Sequence, residues 1–240
     1  MRMCVATVCV LALNAVCAYS NSEVADTVPY KNNYVLAPDP METFEFNCSV
    51  GLALTLLPLP LVESEVPAPA LDVRFRLGLP LQLSLVGRVT GNYAANLATL
   101  GPMWSAELTR VTVGGGLQVG FMYGHVGFLQ GFNSAVMGVL AFPFATAGIR
   151  FDDFTLSGKL EAEVVLFQQR RIEDITISSS VRTFNGGALT IAIEQPFWRT
   201  TAISLGATLH YSRNPYQAWL AFNTFDDVLF YPELFAGFIF

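Results

Sequence analysis

Phe44-Glu45-Phe46-Asn47-Cys48-Ser49-Val50-Gly51-Leu52-Ala53-Leu54-Thr55-Leu56 is the stretch that decides the fold. Every even position is apolar, and the odd positions carry Glu45, Asn47, Ser49, Gly51, Ala53 and Thr55. Successive side chains of a strand point to opposite faces, so this segment has one continuous greasy side and one small or polar side. A helix would mix the two sets around its circumference.

The grammar recurs along the chain. Leu71, Val73, Phe75, Leu77, Leu79, Leu81, Leu83 and Leu85 alternate with Ala70, Asp72, Arg74, Arg76, Gly78, Pro80, Gln82 and Ser84. Pro80 cannot donate to a ladder, which predicts two strands and a tight turn there. Phe154, Leu156, Leu160, Val164 and Leu166 alternate with polar residues, as do Ile203, Leu205, Ala207, Leu209 and Tyr211. Weaker versions cover 111–123, 134–142, 175–183 and 188–194, and 145–151 is too short to span unless joined to a neighbour. Turn chemistry falls between the runs. Asn185-Gly186-Gly187 predicts a hairpin, and Gln195-Pro196-Phe197-Trp198-Arg199 a separator between strands. Loops are expected at 58–68 (with Glu63 and Glu65), 91–102, 125–133 and 212–230.

Upstream lie a polar arm, 21–40, and a leader, 1–20. Met1-Arg2-Met3 precedes an apolar run from Cys4 to Ala18, followed by small residues, as in a secretory signal peptide. Its removal leaves 12 basic and 19 acidic residues, a charge of −7, and Cys48 as the remaining cysteine, so no intramolecular disulfide can form. The acidic balance argues against nucleic acid as a partner. With no Cys/His cluster, no metal or other cofactor is expected. Of the 240 residues 52% are hydrophobic and 13% charged, against about 25% charged in an ordinary soluble domain. Beyond residue 20 no apolar stretch is long enough for a membrane helix. Apolar composition without such a helix points to a membrane protein built from strands.

Periodicity alone does not say whether the greasy face looks inward or at lipid. Three features favour lipid. Several runs reach the roughly 9–11 residues that a tilted strand needs to cross a bilayer. Aromatic residues gather near run ends, among them Trp104, Phe142, Phe197, Trp198 and Tyr211. The mid-strand charges share the non-greasy face. The expected fold is an all-β, transmembrane, antiparallel up-and-down β-barrel over 41–240. It has about ten strands, within a range of roughly eight to twelve, since bacterial barrels are even-stranded and must close.

The chain ends Tyr231-Pro232-Glu233-Leu234-Phe235-Ala236-Gly237-Phe238-Ile239-Phe240. With Leu234, Phe238 and Phe240 in phase, this resembles the C-terminal assembly signal of bacterial outer-membrane barrels. Ile239 departs from it, standing where a polar residue is usual. Size and architecture resemble the small OmpW/OmpX-type barrels. The resemblance implies the bacterial outer membrane, its lipid and the barrel assembly machinery as partners, and a passive channel for small solutes.

The lumen-facing candidates are Asp72, Arg74, Arg76, Arg88, Lys159, Glu161, Glu163, Arg182, Glu194 and His210. They suit either a salt-bridged filling of the barrel or a charged constriction. An alternative is an adhesin or structural barrel acting through its outer loops on an extracellular ligand. A third reading is a lipid hydrolase: His210-Tyr211-Ser212 resembles the His-x-Ser element of barrel phospholipases, with Arg213 where asparagine is usual. His210 falls on the lumen phase, however, and the main expectation is a protein without catalysis.

Overall fold

The computed structural model describes residues 34–58, 67–129, 132–151, 153–172, 175–178, 183–198, 200–213, 216–221 and 228–240. The leader, most of the arm, Glu63, Glu65 and Arg182 lie outside them.

The strands, in chain order, are β1 (Phe46–Leu56), β2 (Pro67–Leu79), β3 (Leu83–Gly91), β4 (Ala95–Leu108), β5 (Val111–Leu129), β6 (Phe132–Arg150), β7 (Thr155–Ile172), β8 (Ile175–Ser178), β9 (Phe184–Trp198), β10 (Thr201–Ser212) and β11 (Leu229–Ile239). A 3₁₀ helix, η1 (Tyr216–Ala221), precedes β11. Each wall strand pairs antiparallel with the next, and β11 closes onto β1 with Leu54 opposite Leu234. The result is an all-β closed antiparallel barrel of ten strands. The extra strand β8 pairs only with the far end of β7.

Turns at 80–82 and 109–110 lie at one end, together with the strand ends Arg150, Thr155, Trp198 and Thr201 and both ends of the wall. Cys48 and Phe240 exchange backbone hydrogen bonds there. The strand ends Leu56, Pro67, Gly91, Ala95, Leu129, Phe132, Ile172, Phe184, Ser212 and Leu229 lie at the other end. These are called below the turn end and the loop end. β5, β6 and β7 run 18–19 residues, so the wall stands taller on that side of the loop end.

The structure refines several local expectations. Residues 95–102 belong to β4 rather than to a loop, and 125–129 and 132–133 belong to β5 and β6. Alternation is hidden there because the inward residues Ala95, Leu97, Met122 and Val126 are also apolar, packed under η1. Residues 145–150 complete β6, and Pro143 is tolerated because the ladder to β7 skips it. Asn185-Gly186-Gly187 is no hairpin but the start of β9. Gly186 has φ 152°, and an added Cβ there would run into the Tyr211–Ser212 backbone. Pro196 and Phe197 continue β9 to its end, beside a register shift between Thr201 and Ala202. Within 175–183, residues 175–178 form β8, which pairs with the end of β7, and 179–182 lie outside the described residues.

The turn at Pro80 is present. Leu81 and Gln82 both have positive φ, 64° and 60°, and the Leu83 N–H donates to the Pro80 carbonyl, so these two residues are the centre of a primed turn within the 80–82 loop. Neither residue type favours that region. The double change Leu81→Asn, Gln82→Gly is therefore expected to raise stability by about 1 kcal/mol, read as a higher urea midpoint in refolding titrations.

Candidate functional site: a lumen closed by two inserts

Barrel polarity is inverted relative to a water-soluble core. Asn47, Ser49, Thr55, Asp72, Arg74, Arg76, Thr99, Gln118, Thr190, Glu194, Thr208, His210 and Glu233 are buried inside. Val50, Leu52, Leu71, Val89, Leu100, Val119, Phe121, Leu160, Ile191, Leu205 and Phe238 are exposed outside. Alternation by strand, read from either side, yields a polar tube in an apolar sleeve.

The arm enters the tube at the turn end. Glu194, on β9, is 0% exposed and accepts the backbone N–H groups of Val35 (3.0 Å), Leu36 (3.0 and 3.1 Å) and Ala37 (2.8 Å). Arg76, on β2, donates to the carbonyls of Ala37 (2.5 Å) and Asp39 (2.6 Å), and to the hydroxyls of Ser84 and Ser105. Asn47 donates to the Tyr34 carbonyl, and Arg150 pairs with the Asp39 carboxylate at 3.1 Å. Both carboxylate and guanidinium thus address main-chain atoms of the arm. Wall residues opposite it are small. Ala202 and Ile239 pack on Tyr34, Val35 and Ala37, while Ala53 and Ala192 lie beside Leu36. A Cβ at Gly114 or Gly148 would come within 3.1 or 3.0 Å of Pro38. The departure of Ile239 from the polar habit of outer-membrane termini has its physical reason here, since it faces the arm and not water.

Mid-barrel, Asp72 pairs with Arg74 (2.8 Å) and Arg88 (2.6 Å), and Arg88 pairs with Glu233 (2.6 Å). These four groups balance in charge. Arg74 also lies over the Phe235 ring, 3.8 Å from its centroid. Across the lumen, Lys159 pairs with Glu161 at 2.5 Å and donates to the Gln118 side-chain oxygen at 3.3 Å. A cavity of about 100 Å³ separates these groups, with Leu36 of the arm and Gln118 on its lining. That is room for a few waters.

At the loop end η1 forms the second insert. Trp219 packs among Leu97, Met122, Val126, Val136 and Leu140, and its indole donates to the Ala94 carbonyl at 3.0 Å. Gln217 donates to Glu233 at 3.1 Å, tying η1 to the ionic cluster. Burial pushes the Tyr216 phenol well above its ordinary pKa, and the Glu233 charge adds in the same direction.

Every candidate except Arg182, which lies outside the described residues, has a definite place. Asp72, Arg74 and Arg88 share one cluster, Lys159 and Glu161 another, and Arg76 and Glu194 hold the arm. Glu163 lines a smaller cavity with Asn185. His210 faces inward, its ring stacked on Tyr231 at 4.7 Å, and Ser212 is fully buried on the same face. Leu234, Phe238 and Phe240 project outward from the closing strand. Sequence reasoning passed over Glu233, Gln118, Asp39, Gln217 and Trp219. The alternation of Glu233 with Leu234 was the signal for the first of these. The loop position of the last two carried none.

No family model matches this chain, and no curated protein matches it. Among solved structures it is similar to a multiply substituted porin of Rh. blastica: 7% identity, 82% of this chain and 100% of that chain covered, TM-score 0.22. It is likewise similar to the outer-membrane expressed OmpT of Vibrio cholerae: 7% identity, 84% and 99% covered, TM-score 0.22. No residue role passes from those proteins to this chain.

Proposed function

We propose that the chain is an integral outer-membrane β-barrel offering a narrow passive path for small solutes, held shut in the conformation described. The inverted polarity of the wall carries this reading. Ten strands present leucine, isoleucine, valine and phenylalanine outward, and an exposed sleeve of that kind needs acyl chains to cover it. Each wall strand has at least the 9 residues of β3, which matches the span of a tilted strand. Export would use the leader 1–20, and the outward Leu234, Phe238 and Phe240 on the last strand suit recognition by the assembly machinery.

Planar-bilayer recording of the refolded mature chain tests the path. Brief, discrete openings are expected from the wild type. Arg76→Ala removes two anchors of the arm and one positive charge from the lumen, so openings should become several-fold more frequent and more cation-selective. Silence from both proteins over a wide voltage range would overturn the solute path. The second reading, a structural or adhesive barrel acting through its loops, is favoured by the filling of the lumen at both ends. Hydrolysis by His210 and Ser212 has less support, because both side chains point away from the apolar sleeve. Fatty-acid release abolished by Ser212→Ala would restore it.

A further inference from the structure

We infer that the turn end of the lumen is a binding site for an extended peptide main chain, and that residues 34–39 of this chain are its resident, displaceable occupant. Three successive N–H groups converge on the Glu194 carboxylate, and two carbonyls, two residues apart, meet the Arg76 guanidinium. Neither contact reads a side chain. Glu194 and Arg76 are buried wall groups, 0% and 1% exposed, and both hydrogen-bond to the main chain of the arm. The pocket accepts small or apolar side chains, because Ala53, Ala192 and Ala202 leave the space.

This arrangement differs from the mid-barrel clusters, where cation meets carboxylate within the wall. There, both partners are fixed. Here, one partner is a segment outside the strands, joined to β1 through residues 40–45. When it leaves, water entering from the barrel mouth hydrates the carboxylate and the guanidinium, so departure does not strand a dry charge. A covalently attached occupant acts at an effective concentration of about a millimolar. A free peptide therefore gains access only when the tethered arm is weakened.

The test uses the full mature chain. Leu36→Pro deletes the N–H shared between both Glu194 oxygens and leaves every wall residue in place. A fluorescent, acetylated and amidated peptide with the sequence of residues 34–39 is titrated into the refolded barrel in detergent and followed by anisotropy. Binding is expected to Leu36→Pro and at least about tenfold weaker to the wild type. A peptide N-methylated at its leucine is expected to lose about tenfold or more, and so is the parent peptide against Leu36→Pro carrying Glu194→Gln. Heat-modifiable migration checks that each variant is a closed barrel. Absence of peptide binding to Leu36→Pro, or equal binding of the N-methylated peptide, would sink the inference. The gating consequence rests on the solute-path reading and is read separately in bilayers. Peptide that binds without altering current leaves the site standing and removes the path. Large currents in Leu36→Pro with no peptide binding do the reverse.

Discussion

Leu205→Arg is expected to destabilise the barrel by about 2–4 kcal/mol in lipid vesicles, because an arginine on the lipid face near mid-membrane pays a desolvation penalty of that size. Leu205 sits near the middle of β10, half exposed, opposite Ile193 and Ala236 on the neighbouring strands. Were the sleeve in water, an exposed leucine replaced by arginine would change stability by no more than about 0.5 kcal/mol. The two environments thus differ by a margin that urea titration resolves. A null effect in vesicles, with an intact heat-modifiable band, would refute the membrane reading while leaving the barrel fold untouched.

Glu233→Ala is expected to cost about 3–5 kcal/mol, the penalty for breaking a buried ion pair from one side. Glu233 is 1% exposed and accepts from Arg88, Thr55 and Gln217. Its removal leaves two guanidinium groups facing one carboxylate. The same logic gives the sign of the rescue: Glu233→Gln with Arg88→Met restores balance, since Asp72 and Arg74 remain paired. The double variant should recover most of the loss, and failure to do so would mean that Glu233 acts mainly by holding η1 through Gln217. Trp219 fluorescence then separates the two, because a released η1 exposes the indole to quenchers that the intact barrel excludes.

Strand identity was legible wherever one face was apolar and the other was not, as in 46–56, 70–79 and 203–211, whereas Phe44, in phase with β1, lies in a turn at φ 68°. It failed where both faces are apolar for separate reasons. In 95–102 the outward residues clothe the sleeve while Ala95 and Leu97 pack under η1, so no alternation survives. Proline and glycine misled as well: Pro143, Pro196 and Gly186 mark interruptions of a ladder, not its end. For the site, alternation assigned the inward phase of Arg76 and Glu194. It carried no information on what they hold, since the partners are backbone atoms 37–39 and 157–159 residues away. Backbone partners leave no signature in side-chain chemistry. The alanines at 53, 192 and 202 read as filler on a polar face, and only the arm explains them.

The berth of the arm is shared among distant parts of the chain: Arg76 from the second strand, Glu194 from the ninth, and Ile239 from the last. Pairing of β1 with β11 sets β2, β1, β11, β10 and β9 side by side, and with them all three groups. The berth comes into being with the final seam, where Phe240 meets Cys48. Corking of this vessel is therefore a late event in its construction. A nascent cylinder stays unstoppered until its first and last staves have met, and a stoppered one certifies that they have.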